Sequence, residues 1–216
     1  MSLPAAAQPR PRPRRTQEER SAETRARLLD ATLESLIEFG YARTSTTAVC
    51  ARAGLSRGAQ LHHFPTKADL VIAAVAHLAR RRADELRREA APAGSDAQRL
   101  AHALDAIWAS FSGPLFSAAL ELWVASRSDA ELRASLVRFE RQVGRAMSAL
   151  FAELAGPAAP PREVRQLLEL TFHVMRGMAL QRILRGDDTE RRRLFELWKR
   201  LVSDSLAART RRGEVR

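Results

Sequence analysis

Arg57, Gln60 and His62 fall between Ser56 and Pro65, and all three are residue types that hold or read DNA. An arginine fork matches guanine or a phosphate, and a glutamine amide matches adenine. Such groups work only when a helix end carries them to the base edges, and the flanking residues build that helix. Ser56 is a good N-cap for Arg57 to His63, and Pro65 stops the run. Upstream, Thr44, Ser45 and Thr46 offer side-chain oxygens to cap a helix from Thr47 to Ala53. Gly54 then suits a left-handed C-terminal position. Two short helices joined by a glycine turn make a helix-turn-helix, over about 44–64, whose second helix lies in the major groove. Thr66 and Asp69 cap the next helix, where Lys67 is placed to meet a phosphate.

No other constellation on the chain suggests chemistry. The five histidines, His62, His63, His77, His102 and His173, show no metal-ligand spacing, and Cys50 has no cysteine partner. There is no nucleophile elbow and no glycine-rich phosphate loop. The chain therefore reads as no enzyme, with no metal and no cofactor. A lone cysteine fits a reducing compartment, and no run of apolar residues is long enough to span a membrane. The first residues lack an apolar signal core, so a cytoplasmic location is expected.

At 216 residues there is ample length for a large core, and strand-like alternation is missing. The expected fold is all-α. Net charge is +11, carried by 34 arginines and only Lys67 and Lys199 as lysines, which favours a polyanionic partner. The charge is uneven. Arg10, Arg12, Arg14 and Arg15 face no acid in residues 1–15, whereas residues 16–70 balance. That proline-rich start cannot pack a core, and is either a solvated tail or a basic arm along DNA.

About nine helices follow from periodicity and caps. Thr16 with Glu19 opens the first, which buries Ala22, Ala26, Leu29, Leu33 and Leu36, broadened by Leu28, Ile37 and Phe39, and ends at Gly40. Ser95 with Gln98, Gly113-Pro114, Ser128 with Glu131, and Asp187 with Glu190 open later ones. Large aromatics crowd the fifth to eighth helices: Trp108, Phe111, Phe116, Trp123, Phe139 and Phe172. With His102, His173 and Arg176 as polar groups, they are the candidates for a small-molecule cavity. The ninth helix carries Leu194, Leu197, Trp198, Leu201 and Val202 on one stripe. The eighth is apolar on several sides, including Leu168, Met175 and Gly177, as suits a helix between layers.

From Arg25 to Leu78 the chain resembles, without a gap, the N-terminal domain of the TetR family of bacterial transcription regulators. The resemblance rests on Gly40-Tyr41, Ala53-Gly54-Leu55-Ser56, Arg57-Gly58, and His63-Phe64-Pro65-Thr66-Lys67 leading to Leu70. Leu61 stands where most members carry a tyrosine that touches a phosphate, and Gln60 where many carry leucine. The resemblance implies a helix-turn-helix domain over 16–80 and an effector-binding and dimerisation domain over 81–216. It implies DNA contacts from Thr44, Ser45, Thr46, Thr47, Ser56, Arg57, Gly58, Ala59, Gln60, Leu61, His62, His63 and Lys67. It further implies a homodimer through the last two helices, and a repressor released from its double-stranded operator by a small-molecule effector. The competing reading is an arginine-rich DNA-packaging protein without sequence preference.

Overall fold

The computed structural model describes residues 16–89, 94–155, 162–184 and 188–213. The proline- and arginine-rich start and the cap expected at Asp187 lie outside them. Among the described residues there are nine α-helices and no strand.

Local chemistry sets most of the helix starts. Thr16 and Glu19 close a capping box on α1 (Gln17–Arg43). Gly40 interrupts α1 with φ 73°, ψ 172°, a conformation a side chain would strain. Ser45 caps α2 (Thr46–Ala53), its Oγ accepting the Ala48 amide at 3.1 Å. Gly54 takes the left-handed position after it, φ 62°. Ser56 caps α3 (Arg57–His63) and Thr66 caps α4 (Lys67–Arg88). A second capping box, Ser95 with Gln98, opens α5 (Asp96–Ser110), and Pro114 begins α6 (Pro114–Ala125). The cap of α7 (Ala130–Ala155) sits one residue later than expected. Asp129, not Ser128, accepts the Leu132 amide, at 2.9 Å. The chain ends in α8 (Arg162–Leu184) and α9 (Thr189–Gly213).

Two apolar clusters organise these helices. The first joins Leu28, Leu29, Leu33 and Leu36 of α1 to Val49 of α2 and to Leu70, Val71 and Val75 of α4. It runs on without a break into Leu122 of α6 and Leu132, Leu136 and Phe139 of α7. The second gathers Leu86 of α4, Leu104 and Ile107 of α5, Leu168 and Met175 of α8, and Phe195 and Val202 of α9. Each fully buried leucine contributes about 1.5–3 kcal/mol relative to an exposed one. Because α4 enters both clusters and crosses residue 80 as one helix, it ties the N-terminal helices to the rest. Three residues expected in the α1 core are outside it: Ile37 is 50% and Phe39 39% exposed, and Ala22 in the first turns also faces solvent, while Ala26 is half-buried. Phe39 instead carries the guanidinium groups of Arg43 and Arg52 over its ring. Cys50 is buried, and that burial pushes its thiol up, as for an inert core residue.

Candidate DNA-reading face and effector cavity

The exposed side of the helix-turn-helix follows from how α3 rolls onto the core. Arg57, Gly58, Leu61 and His62 face solvent, Ala59 and His63 are half-buried, and Ser45, Thr47 and Ser56 are exposed at the two caps. Thr46 is half-buried at the start of α2. Two expected contacts point the wrong way. Gln60 is 1% exposed; its Nε2 donates to the Phe64 carbonyl and its Oε1 has no partner. Its amide type suggested the surface, but one turn of a seven-residue helix places residue 61 outward and residue 60 inward. Thr44 is also buried, its hydroxyl donating to the Gly40 carbonyl at 2.8 Å. It secures the α1–α2 turn and has no hydroxyl to offer DNA. Burial, with His62 and Arg25 nearby, pulls His63 below the ordinary imidazole range, so it is neutral at pH 7.

Behind this face lies a polar junction between the two ends of the molecule. The Tyr41 amide donates to Glu121 Oε2 on α6 at 3.1 Å, and its phenol donates to Asp129 Oδ2 at the head of α7 at 3.0 Å. Lys67 donates to the Tyr41 carbonyl at 2.7 Å and lies over its ring at 4.0 Å. A Cβ on Gly40 would stand 2.6 Å from Glu121 Oε2, so glycine is what lets the carboxylate reach this backbone. Burial, then Asp129, drives the Tyr41 hydroxyl well up, so it remains a donor. The Leu132 amide, with the Tyr41 phenol adding, holds Asp129 below the usual carboxylate range. Lys67 is pulled down by burial, against the opposing charge of Asp129. Part of its ammonium is thus engaged within the chain, which leaves fewer protons for a phosphate.

A cavity of about 290 Å³ opens among α4, α5, α6, α7 and α8. Of the nine residues expected there, Phe111, Phe116, Trp123, Phe139, Phe172, His173 and Arg176 line it. Phe116 meets Trp123 edge-on at 6.1 Å and Phe111 at 5.7 Å. Trp123 donates to Glu140 Oε1 at 2.9 Å, and the Arg176 guanidinium covers its ring at 4.1 Å. Arg176 is 3.6 Å from Glu140 Oε2, while its Nε is buried with no partner. Leu115 and Val143, inward-facing by periodicity, also line the cavity, as do Glu140, Glu169 and Met147, which nothing in the sequence had singled out.

His102 and Trp108 do not line this cavity. Trp108 stacks on Phe195 of α9 at 4.6 Å, with the Arg191 guanidinium 4.9 Å from its ring centre, and packs against the second cluster. His102 is half-buried on α5, away from the lining. An α-helix apolar on two sides gives no sign from sequence which side meets a cavity.

The family model for bacterial regulatory proteins of the tetR family matches residues 28–74. An HTH-type transcriptional regulator of Mycobacterium tuberculosis strain H37Rv is 32% identical over 182 residues, covering 83% of this chain and 93% of its own. The HTH-type transcriptional regulator CymR of Pseudomonas putida is 33% identical over 175 residues, 81% of this chain and 86% of its own. The chain belongs to the TetR family. A solved transcriptional regulator from Pseudomonas aeruginosa PAO1 shares the fold, with 24% identity and a TM-score of 0.65 over 89% of this chain and 97% of that one. As a TetR-family member the protein is a DNA-binding transcriptional regulator, and a packaging role is not favoured.

In this TetR-family chain the last two helices leave apolar side chains uncovered. Leu194, Leu197 and Leu201 of α9 are 38%, 46% and 53% exposed, and Leu170 and Gly177 of α8 are also exposed. Three residues expected at a dimer contact lie instead in the chain's own core. Leu168 and Met175 face inward from α8, and Val202 is 1% exposed. Trp198 is half-buried and donates to Thr171 at 3.3 Å. The helical stripe read from sequence thus divides, with one edge packing inward and the leucine edge left open. No single helix among the described residues is long and apolar enough to cross a membrane.

Proposed function

We propose that the protein is a homodimeric cytoplasmic repressor, without catalysis of its own, that leaves its operator when an apolar or aromatic small molecule fills the cavity. The observation that carries this reading is that the cavity and the polar junction share helices. Trp123 lines the cavity two residues from Glu121, which holds the Tyr41 amide. Asp129 caps α7, the helix that brings Phe139 and Glu140 to the same cavity. A guest that displaces α6 or α7 therefore pulls on the end of α1 and on the helix-turn-helix behind it.

The dimer seats a second copy on the open leucine edge, with Leu194, Leu197, Leu201, Leu170 and Gly177 at the contact. Two recognition helices about 34–36 Å apart then reach successive major grooves. Shifting them out of that spacing costs the contacts of at least one. To relax operator occupancy a hundredfold, the guest must favour the DNA-incompetent dimer by about 2.7 kcal/mol. By linkage, operator and guest must weaken one another equally. A thermal-shift screen of small metabolites, followed by operator titration with each stabiliser, tests the reading. Hits are expected to raise Tm and lower operator affinity together. Saturating stabilisers that leave affinity unchanged would make the cavity a passive packing defect.

A further inference from the structure

The recognition helix reverses the usual placement of polar and apolar residues at two adjacent positions. Gln60 is 1% exposed with Oε1 unpartnered, while Leu61 beside it is 48% exposed. Exchanging the two would bury the leucine and free the amide, and both changes favour folding. Packing within the chain therefore gives no reason for a leucine at position 61. Its neighbours on the exposed face are Arg57 one turn before it, Gly58 and His62. Around Gly58 the surface is bare: a Cβ there would meet only Ser56 Oγ, at 3.8 Å. The helix backbone can thus settle close to whatever it faces. Resting on the reading of this face as the one that enters the operator, Leu61 meets a major-groove floor that offers a single apolar group on the base edges, the C5 methyl of thymine.

We propose that Leu61 is a specificity residue that covers a thymine methyl in each operator half-site. The polar residues beside it bond to acceptors and phosphates, while Leu61 distinguishes thymine from every base that lacks the methyl. Its exposed branch loses water only when that methyl is present, so the contact selects and does not merely adhere.

The test uses the full-length dimer and an operator selected from a random duplex pool. Each thymine is replaced in turn by deoxyuridine, which removes the methyl and leaves pairing intact. The wild-type protein is expected to lose roughly fourfold per half-site at one symmetric pair of positions, the worth of one buried methyl group. Leu61→Ala, whose exposed site leaves folding untouched, is expected to bind the thymine and uracil operators equally. Uridines that are neutral everywhere, or that cost wild type and Leu61→Ala the same, would overturn the thymine contact and leave the regulator reading standing. A pool that yields no preferred sequence would overturn both.

Discussion

Seven consecutive residues, Arg57–His63, supply the recognition helix, whereas the cavity takes its walls from five helices between Val75 and Arg176. The first site is shaped by caps that act within one turn and by a short helix seated on a tight leucine core. The second exists where packing between distant helices stays incomplete, with the Arg176 Nε buried and unanswered. A site made of one rigid element is moved as a whole, and a site made of several elements changes its shape. The difference suits the roles proposed above, with a cavity that senses and a reading face that is displaced.

The largest effect should come from the scaffold that serves both sites. Leu197→Glu or Leu201→Glu puts a carboxylate on an edge already exposed in the single chain, so each protomer is expected to fold. Buried in the dimer contact that charge is strongly unfavourable, and monomers should result. A lone half-site reader loses most of its advantage over random DNA, on the order of 10³ in affinity. Sedimentation and operator titration measure the two consequences. A stable, operator-competent dimer of Leu201→Glu would put the interface elsewhere.

The two tryptophans separate sensing from packing. Trp108→Ala removes the stack on Phe195 and should cost roughly 2–4 kcal/mol, somewhat less than the loss of a fully buried aromatic because the ring is half-buried. The effector response per folded molecule should survive. Trp123→Ala should instead spare ligand-free operator binding and abolish the response, since it opens the cavity wall and frees Glu140 and Arg176. Equal loss of response in both variants would place Trp108 in the sensing path after all.

Tyr41→Phe sharpens the comparison at the junction between the sites. It removes only the phenol bond to the Asp129 carboxylate, about 1.5 kcal/mol of stability. If that bond transmits the displacement, a hundredfold response should fall to roughly tenfold, with ligand-free affinity unchanged. The sign of the pH dependence is fixed by Asp129, whose folded pKa is lowered. Its contribution is complete above the ordinary carboxylate value near about 4 and is lost as pH falls through the lowered value. The Tm gap between wild type and Tyr41→Phe should therefore be constant near neutrality and shrink in acid.

What could be read in the sequence follows the same division between local and distant. The capping boxes at Thr16 and Ser95, the caps at Ser56 and Thr66, and the left-handed Gly54 each depend on residues within four positions and were legible, whereas Thr44, Ser45 and Thr46 were all offered as caps for α2 and only Ser45 takes that place. The slip from Ser128 to Asp129 arose because two adjacent residues were both able to cap. Most of the cavity aromatics were legible as a group, since large residues crowd those helices. Which aromatics at the end of α5 met the cavity was not, because Trp108 and Phe111 lie three positions apart and both pack on the second cluster, yet only Phe111, at the helix cap, also lines the cavity. The bonds from Tyr41 to Glu121 and Asp129 span 80 and 88 residues and leave no periodic mark. Gln60 misled for a different reason: its chemistry named a base reader while its position in the helix buried it.

That mismatch supplies the smallest prediction. Gln60 contributes one hydrogen bond, Nε2 to the Phe64 carbonyl, and leaves Oε1 buried without a partner. An unsatisfied buried acceptor costs about 1–3 kcal/mol, and the single bond returns about 1. Gln60→Leu removes both and adds apolar burial, although the freed Phe64 carbonyl offsets part of the gain. A net stabilisation of about 1 kcal/mol is expected, a rise of about 2–4 °C in Tm for a chain of this length. Because residue 60 faces the core, the base preference selected from a random pool should not change. Gln60→Ala, which leaves a void in place of the amide, should lower Tm and also leave the preference intact. Should Gln60→Leu alter the preferred bases, α3 must turn on its axis when it meets DNA. The reading face would then be a deformable site like the cavity, and the contrast between the two would fail.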